Sequence, residues 1–450
     1  MSTEPPRSRA GFGRLVAVIV AVLAVAAGAL VAVAAVTPPR VSSTAVAPEA
    51  LVTRLGQRVV VTLDQPVAPD GLELTVEPAA PASLTADGST LTVRFEGMLD
   101  YATDYAVRID GVRSAATGAT GRVEVAFTTP DEQILLLVPG ADGDRIMSAS
   151  ATAGDPPTER YRAEHISEFV RVGDGLVVIS DEGDGPRVRH LTPDGRVFVL
   201  GGPADATYRA LRASPDGRGY GVVLTSASVG PERTVYDSVL QLVDAATDIE
   251  TEVTGFDGGP LSVADWTYVR GTTSILVRSL DLQGYIVDPA GGEPVPLGTL
   301  GRLRGFVPGT PVLLTDQWPD TFETDLTTAE TTPVDIPAIR LDAGDVAGDF
   351  IPLGAARFAQ VVHVFVNDPV ARWATSYVVG IGEDGMRELF RPPSGAITGL
   401  CASPNAQLLA VTLVDPSSPD QPPLTYLVDA RTGATMRTLT GGRPDWCAGG

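Results

Sequence analysis

The stretch Leu427-Val428-Asp429-Ala430-Arg431-Thr432-Gly433 joins the end of one strand-like run to the start of the next through a short polar turn. Five earlier stretches have the same character, so six such turns follow one another along the chain. They centre on Thr192-Pro193-Asp194-Gly195, Asp244-Ala245-Ala246-Thr247, Asp288-Pro289-Ala290-Gly291, Asp325-Leu326-Thr327-Thr328, Gly382-Glu383-Asp384-Gly385 and Asp429-Ala430-Arg431-Thr432-Gly433. Counted from Thr192, they are 52, 44, 37, 57 and 47 residues apart. A period of about 40–50 residues with several strands per unit is typical of a β-propeller, so residues 131–450 are predicted to form one with six or seven blades.

A second kind of turn supports the same repeat. Leu211–Arg218 contains Ser-Pro-Asp-Gly and Leu400–Gln407 contains Ser-Pro-Asn-Ala. In such turns Pro fixes φ, and Asp or Asn bonds to the local backbone. Both kinds of turn resemble the propeller repeats of Tol-type and WD-type proteins, a resemblance that implies a fold and leaves function open. Residues 260–390 lack Ser-Pro-Asp-Gly, so the blade boundaries there are not predicted.

The two ends of the predicted propeller indicate how it closes. Residues 442–447 read as the first strand of a blade, whereas Ile134–Val138 and Arg145–Ser150 read as two strands that lack such a partner. The two ends are therefore predicted to share one blade.

The only two cysteines, Cys401 and Cys447, occupy the same position in successive repeats. A disulfide between them would require an oxidising compartment; two free buried thiols are the alternative.

Residues 51–130 are predicted to form a β-sandwich, because apolar and polar residues alternate in about seven short runs separated by Gly, Pro and Asp. This stretch resembles the bacterial Ig-like domain of surface proteins. The resemblance lies in Val59–Val67, Leu99–Tyr105 and Phe127–Pro130, although those domains usually have Gly where this chain has Ala102. It implies a spacer or adhesion module without catalytic residues.

Residues 15–36 contain no charged and no polar side chain. As a helix they would span about 33 Å, enough to cross a hydrocarbon core of about 30 Å. Arginines precede the segment, so residues 1–14 are predicted to be a cytoplasmic tail and the later domains to be extracytoplasmic. A signal peptide cleaved near Ala32-Val33-Ala34 is the alternative. Residues 37–50, rich in Pro, Ser and Ala, are predicted to be an extended linker.

Composition excludes several classes of function. All 33 basic residues are Arg and none is Lys, which rules out lysine-dependent phosphate binding and Schiff-base catalysis. Arg-only usage also suggests a GC-rich genome, such as that of an actinobacterium. The net charge of −22 argues against a nucleic-acid partner. It indicates an acidic surface that keeps the protein soluble or, as the alternative, an acidic patch for a cationic partner or Ca²⁺.

No motif identifies a catalytic, cofactor or metal site. A Gly-x-Ser-x-Gly elbow does not occur. His165, His190 and His363 lack the spacing of zinc ligands. Of the four Trp, Trp318 lies in a turn-like stretch and is predicted to be an exposed aromatic that could stack on a sugar ring, whereas the usual role of propeller aromatics is packing between blades.

Acidic clusters such as Asp342, Asp345 and Asp349 do not match a Ca²⁺-binding loop and read as solvated turns. Carboxylates from different blades could still meet in a propeller channel, but the sequence does not identify them.

Together these patterns predict an all-β envelope protein with a single N-terminal transmembrane helix. Its function is expected to be non-catalytic: binding an envelope protein or cell-wall polysaccharide, or scaffolding an assembly. One alternative is a propeller enzyme, a glycan or ester hydrolase or lyase that uses channel carboxylates. Another is a purely structural sensor stalk. The sequence predicts no cofactor and does not determine the oligomeric state.

Overall fold

The computed structural model of the chain describes residues 9–226, 236–256, 258–317, 320–334, 341–342, 344–364, 375–415, 418 and 420–449. The chain divides into two compact units, Met1–Pro130 and Asp131–Gly450, which we call unit 1 and unit 2. The division falls where the sequence analysis placed the boundary between sandwich and propeller.

Unit 1 begins with helix α1 (Arg9–Val36), which ends before Pro38 and Pro39. Within the part of the chain that the structure describes, no helix combines the length and the apolar character needed to span a membrane. The membrane helix over residues 15–36 therefore stays a prediction.

Seven strands and a short helix make up the rest of unit 1. They are β1 (Val41–Ala45), α2 (Pro48–Thr53), β2 (Arg58–Leu63), β3 (Glu73–Glu77), β4 (Ala82–Asp87), β5 (Thr90–Phe95), β6 (Asp104–Arg113) and β7 (Thr120–Thr128). One sheet has the order β1-β2-β5-β4 and the other β3-β6-β7. Alternate side chains such as Val59, Val61 and Leu91 are fully buried between the sheets. The predicted β-sandwich is confirmed.

The predicted linker over residues 37–50 is wrong. Strand β1 lies within it and pairs antiparallel with β2, and α2 begins at Pro48 and buries Leu51 and Val52 in the core. All five side chains of β1 are exposed. The strand therefore joins the sheet through its backbone and carries no apolar alternation that the sequence could reveal.

Ala102 occupies the turn position where the Ig-like domains that the sequence resembles usually have glycine. Its φ is 47°, in the left-handed region that favours glycine, and its N–H donates to Pro130 O at 3.0 Å. The chain keeps the turn at the cost of modest backbone strain.

Unit 2 consists of seven antiparallel sheets that follow one another along the chain. The first contains β8 (Gln133–Val138), β9 (Asp144–Ser150) and β10 (Thr158–Ala163). Six four-stranded sheets follow, each with its strands in chain order. Their strands are β11 (His165–Val172), β12 (Gly175–Asp181), β13 (Pro186–Leu191) and β14 (Val197–Val199); β15 (Thr207–Ala213), β16 (Gly219–Ser226), β17 (Tyr236–Asp244) and β18 (Glu250–Glu252); β19 (Val263–Tyr268), β20 (Ile275–Ser279), β21 (Gln283–Val287) and β22 (Val295–Thr299); β23 (Arg302–Phe306), β24 (Val312–Gln317), β25 (Asp320–Asp325) and β26 (Glu330–Pro333); β27 (Asp345–Gly354), β28 (Arg357–Val364), β29 (Thr375–Gly382) and β30 (Gly385–Phe390); β31 (Ala396–Ala402), β32 (Leu408–Val414), β33 (Leu424–Asp429) and β34 (Thr435–Thr440).

The first strands of these six sheets contact one another in succession, from β11 through β15, β19, β23 and β27 to β31. They therefore surround a common axis. An array of four-stranded sheets around an axis is the architecture of a β-propeller, so the predicted fold class of unit 2 is confirmed.

The six turns that the sequence analysis singled out all join the third and fourth strands of these sheets. Asp244 Oδ1 accepts the backbone N–H of Thr247 at 2.9 Å, and Asp429 Oδ1 accepts that of Thr432 at 2.7 Å. The hydroxyl of Thr247 also donates to Asp244, which lowers the pKa of that carboxyl. Because this bonding is local, it leaves a signature in the sequence.

The ring of sheets is closed by residues from both ends of unit 2. Gly442 and Leu137 exchange two backbone hydrogen bonds of 2.8 Å. A 3-10 helix, η1 (Asp445–Gly449), then contacts β8, β11 and β31. The predicted first strand thus occupies the expected position but continues as a helical turn. Pro444 has no N–H to donate and Arg443 has a φ of 49°, so the strand pairing stops at Gly442.

A buried charge cluster holds η1 in the ring. Arg171 Nη2 lies 2.7 Å from Asp445 Oδ2, and its Nη1 lies 3.4 Å from Glu132 Oε1. Asp445 Oδ1 also accepts the N–H of Leu135 at 2.8 Å. Burial raises the pKa of both carboxyls above their ordinary values, although Arg171 acts in the opposite direction.

The predicted disulfide between Cys401 and Cys447 is present and joins β31 to η1. Cys401 is buried and Cys447 is exposed. The bond therefore fastens the last four-stranded sheet to the segment that closes the ring.

Candidate binding site at the axis of unit 2

The two ends of the first strands differ in the connections that meet there. Neighbouring strands are antiparallel, so first-to-second and third-to-fourth turns lie at one end of each sheet, which we call the turn side. Second-to-third loops and the connections between sheets lie at the opposite end, which we call the loop side.

Each first strand carries a β-bulge at its middle or in the half that is nearer the loop side. The register shifts lie between Ile166/Glu168, Arg209/Arg212, Val263/Asp265, Leu303/Gly305, Ala347/Phe350 and Ile397/Gly399. A bulge re-aims the side chains beside it, and bulges are common next to functional sites. Charged residues are concentrated at these bulges and in the closing segment. We call them the polar ring, which comprises Glu168, Arg209, Arg212, Asp265, Arg302, Arg304, Asp349 and Arg443.

Glu168 links β11 to β15. Its carboxylate oxygens accept the N–H groups of Ala210 at 3.2 Å and Leu211 at 2.7 Å. Ala210 has a φ of 53°, which an L-residue adopts reluctantly. The carboxylate therefore stabilises the bulge of the neighbouring strand.

Two arginines of β15 reach β19. Arg209 donates from Nη1 to Ala264 O at 2.8 Å and from Nη2 to Val263 O at 2.7 Å. Arg212 Nη2 lies 3.2 Å from Asp265 Oδ1. Arg209 is thus bound by backbone carbonyls, whereas Arg212 is paired with a carboxylate.

Two arginines of β23 reach β27 in the same way. Arg304 contacts both Asp316 and Asp349, and Arg302 Nη1 lies 3.5 Å from Asp349 Oδ1. Partial burial acts to raise the pKa of Asp349, but the Arg304 guanidinium outweighs it and leaves that pKa below the usual range. Asp349 is therefore held as a carboxylate at neutral pH.

Arg443 connects the closing segment to β11 by donating from Nη1 to Ser167 O. The residue is exposed and its φ of 49° is left-handed. Among the ion pairs of the described residues, none involves Arg443. Strand β31, on the other side of the closing segment, contributes no charged side chain to the ring.

Trp266 supports the polar ring from the core between two sheets. Its indole is fully buried, and Nε1 donates to Ala210 O at 2.8 Å across the junction of two sheets. Gly221 makes room for it, since a Cβ there would lie 2.6 Å from the indole. The bulge of β15 is therefore fixed from the axis by Glu168 and from the core by Trp266.

Replacing Trp266 by Phe should lower the free energy of unfolding of unit 2 by about 1–3 kcal/mol more than replacing Trp446 by Phe. Both indoles are at least nine-tenths buried, but the Nε1 of Trp446 has no hydrogen-bond partner among the described residues. Only the first substitution removes a donor from a partly buried backbone carbonyl. Urea unfolding followed by circular dichroism gives the comparison; equal losses would mean that the bond to Ala210 contributes nothing.

The residues considered from the sequence lie elsewhere, apart from Asp349. Trp318 lies outside the described residues. His165, His190 and His363 contact Asp144, Asp248 and Ser376, at 3.0, 3.0 and 2.9 Å. The part of the chain that the structure describes holds no group of three His, Cys, Asp or Glu residues that could hold a metal ion. Trp266 and Trp446 pack between sheets, as the sequence analysis expects of propeller aromatics.

Two surface grooves lie between neighbouring sheets. One, of about 480 Å³, is lined by acidic residues that include Asp142, Glu164 and Glu182. The other, of about 640 Å³, is lined by Arg357 and Arg387 among others. Neither contains a residue of the polar ring, so the ring is a separate feature at the axis.

Comparison with known families identifies one part of the chain. Residues 35–129 match the family model described as a bacterial Ig-like domain. The match includes β1 and ends at the sandwich boundary, so the resemblance noted in the sequence is confirmed. No characterised protein sequence is significantly similar to the chain.

Solved structures similar to the chain include propeller proteins of different roles. TolB from Acinetobacter baumannii is 11% identical, with 82% of each chain covered and a TM-score of 0.37. The β-propeller domain of Cps50 (Swd1) from Myceliophteria thermophila is 12% identical over 62% of this chain and 86% of its own, with a TM-score of 0.36. An oligogalacturonate lyase in complex with manganese is 13% identical over 69% of this chain and 85% of its own, with a TM-score of 0.41. Likeness at this level does not decide between a catalytic and a non-catalytic role.

Proposed function

We propose that unit 2 is a non-catalytic binding module that recognises its partner at the loop-side opening of the polar ring. The supporting observation is that the ring carboxylates are already engaged. Glu168 accepts two backbone N–H groups, and Asp265 and Asp349 are paired with arginines. General acid–base catalysis needs a carboxyl whose pKa lies near the working pH, and that of Asp349 is displaced away from it. Fixed donors and acceptors around an opening suit recognition instead.

The proposal includes a blade count of seven. Six blades are the four-stranded sheets, and the seventh is formed by β8, β9 and β10 together with the segment around Gly442 and η1. Closure from both ends gives the ring a fixed circumference and thus a fixed spacing of its polar groups.

The proposed partner is a protein or a cell-wall polysaccharide of the cell envelope. We place the chain in the membrane through residues 15–36, with the Ig-like domain as a spacer and both units outside the cell. The uninterrupted apolar run supports the anchor, and the disulfide supports an oxidising compartment.

The test is an affinity capture with the full-length chain, tagged at its N-terminus and extracted from membranes in detergent. It is offered solubilised envelope proteins and purified wall polysaccharide in parallel. Two variants form a matched pair: Asp349→Arg reverses a charge in the ring, and Asp216→Arg reverses one on the turn side, at side chains 62% and 50% exposed. We expect one partner to be recovered by wild type and by D216R, and lost with D349R.

Three results would contradict the proposal: no selective recovery, equal recovery with D349R, or turnover of the polysaccharide. Turnover would favour the alternative of a glycan hydrolase or lyase. Intact mass of the extracted chain tests the anchor in the same preparation. A chain that begins near residue 35 would instead indicate a secreted protein.

A further inference from the structure

We infer that the polar ring recognises an oxyanion, a carboxylate or phosphate group on the partner, and that Arg443 and Arg209 are the donors. The inference rests on the proposed binding function of this ring and names the chemistry of its ligand. The five ring arginines differ in whether a carboxylate pairs with them.

Three of the five are neutralised by carboxylates. Arg212 pairs with Asp265, and Arg302 and Arg304 pair with Asp349. Arg209 and Arg443 have no such ion pair among the described residues, and they donate hydrogen bonds to backbone carbonyls. A carbonyl orients a guanidinium without cancelling its charge. Set against the carboxylate of Glu168, which also has no ion pair among the described residues, these two side chains leave one positive charge of the ring uncompensated.

Both guanidinium groups retain donors. A guanidinium has five N–H groups in a planar fork. Arg209 uses two nitrogens on Val263 and Ala264, and Arg443 uses one on Ser167. The remaining N–H groups can bind an oxyanion, for which two parallel bonds from one arginine are the favoured geometry.

The backbone presents Arg443 at some cost. Its φ of 49° is strained for a residue with a side chain. Gly442 before it and Pro444 after it fix the local path, and the side chain is exposed. Strain of this kind persists where the surrounding structure over-determines it and is concentrated at functional positions.

The two arginines are held at first strands that are separated by one other first strand. Arg443 reaches β11, and Arg209 starts from β15, the first strand that follows β11 in the ring. The closing helix η1 contacts both β11 and β15. The Arg443 guanidinium is therefore held at β11 and the Arg209 guanidinium at β19, on either side of β15.

The net charge of the whole chain limits how much negative charge the ligand can carry. A net charge of −22 repels a polyanion at long range. Pairs in direct contact persist at distances well inside the Debye length of about 8 Å at physiological ionic strength. The ligand class is therefore a single oxyanion on an otherwise neutral or cationic carrier, such as a peptide carboxylate or a sugar phosphate.

Isothermal titration of the full-length chain in detergent tests this inference with two pairs of probes. The first pair is N-acetyl-trialanine with a free carboxylate and the same peptide with a C-terminal amide. The second pair is glucose 6-phosphate and glucose. We expect binding of the carboxylate or the phosphate, whichever source the site accepts, and none of the uncharged counterparts. R443Q and R209Q should each weaken it at least about tenfold, as loss of a charge-assisted hydrogen bond does.

R218Q is the matched control, because Arg218 is an exposed arginine on the turn side, outside the polar ring, and is paired with Asp216. It should leave the affinity within about twofold, since that charge is already compensated. If R209Q does not fold, R443Q decides the matter, as its side chain is exposed. Absence of binding at millimolar probe, equal binding of the uncharged probes, or an equal loss with R218Q would overturn the inference. If the partner is captured but the titration shows no binding, the oxyanion hypothesis is wrong and the binding function stands. If the titration succeeds but no partner is captured, the oxyanion site stands and the proposed envelope partner is wrong.

Discussion

Replacing Arg171 by Met should lower the free energy of unfolding of unit 2 by about 3–5 kcal/mol, because it leaves two buried carboxylates without a cation. The side chains of Asp445 and Glu132 are 6% and 18% exposed, and both face Arg171. All four tryptophans lie in residues 131–450, so selectively excited tryptophan fluorescence during urea unfolding reports on unit 2 alone. Arg196→Met is the control. Arg196 pairs with Asp194 on a turn and is 78% exposed, so its loss should change stability by no more than about 0.5 kcal/mol.

The loss of unfolding free energy in R171M should also depend on pH. Burial raises the pKa of Asp445 and of Glu132 in the folded protein. A carboxyl with a raised folded-state pKa contributes its stability at low pH and loses it as the pH rises through that pKa. Without Arg171 these pKa values should rise further. The loss in R171M should therefore be largest near pH 7.5 and should shrink near pH 5, as the two carboxyls take up protons. A loss of the same size at both pH values would show that Arg171 acts through packing and not through its charge.

Replacing both Cys401 and Cys447 by Ala should lower the stability of unit 2 by about 4 kcal/mol, the loop-closure entropy of a cross-link between residues 46 apart. The disulfide restrains the unfolded chain in addition to joining β31 to η1. Urea unfolding of the oxidised protein, the reduced protein and the double variant measures the effect. Reduced wild type should match the variant, and the variant should not respond to reductant. A loss below about 1 kcal/mol would mean that strand pairing and the charge cluster around Arg171 close the ring without the covalent bond.

The features that could be predicted from the sequence are those whose physics is local. The turns at Asp244 and Asp429 are built from a carboxylate and the two or three residues that follow it, so they are visible as a motif. The period-two pattern of the sandwich follows directly from burial of one strand face. The disulfide could be inferred because equivalent positions in successive repeats held the only two cysteines.

The boundaries of the middle sheets of unit 2 could not be predicted, because their first-to-second turns do not contain Ser-Pro-Asp-Gly. Between β19 and β20, Thr272 donates to Val269 O at 3.0 Å, and between β23 and β24, Thr310 donates to Val307 O at 2.9 Å. In both turns a threonine hydroxyl bonds to the local backbone, so the turn forms without the Ser-Pro-Asp-Gly motif. Strand β1 was missed for a different reason: a strand with every side chain exposed has no hydrophobic period.

The polar ring could not be predicted from the sequence, because its partners are far apart in the chain. Arg443 and Ser167 are separated by 276 residues, and Arg209 and Ala264 by 55. The spacing within a strand does not indicate which carbonyl of the next blade an arginine will meet. The one usable signal is the presence of Arg and acidic residues inside otherwise apolar first strands, such as Arg302 and Arg304 in β23.

The closure of the ring by Gly442 and η1 also determines when unit 2 can fold during synthesis. The bond from Leu135 to Asp445 spans 310 residues, so the first sheet has no inner neighbour until almost all of the unit has been synthesised. Until then the apolar edge of β8 is uncovered, and contacts of this sequence separation form slowly. In the envelope location that we propose, unit 2 should therefore depend on a holding chaperone outside the membrane, and formation of its disulfide should be among the last steps of maturation.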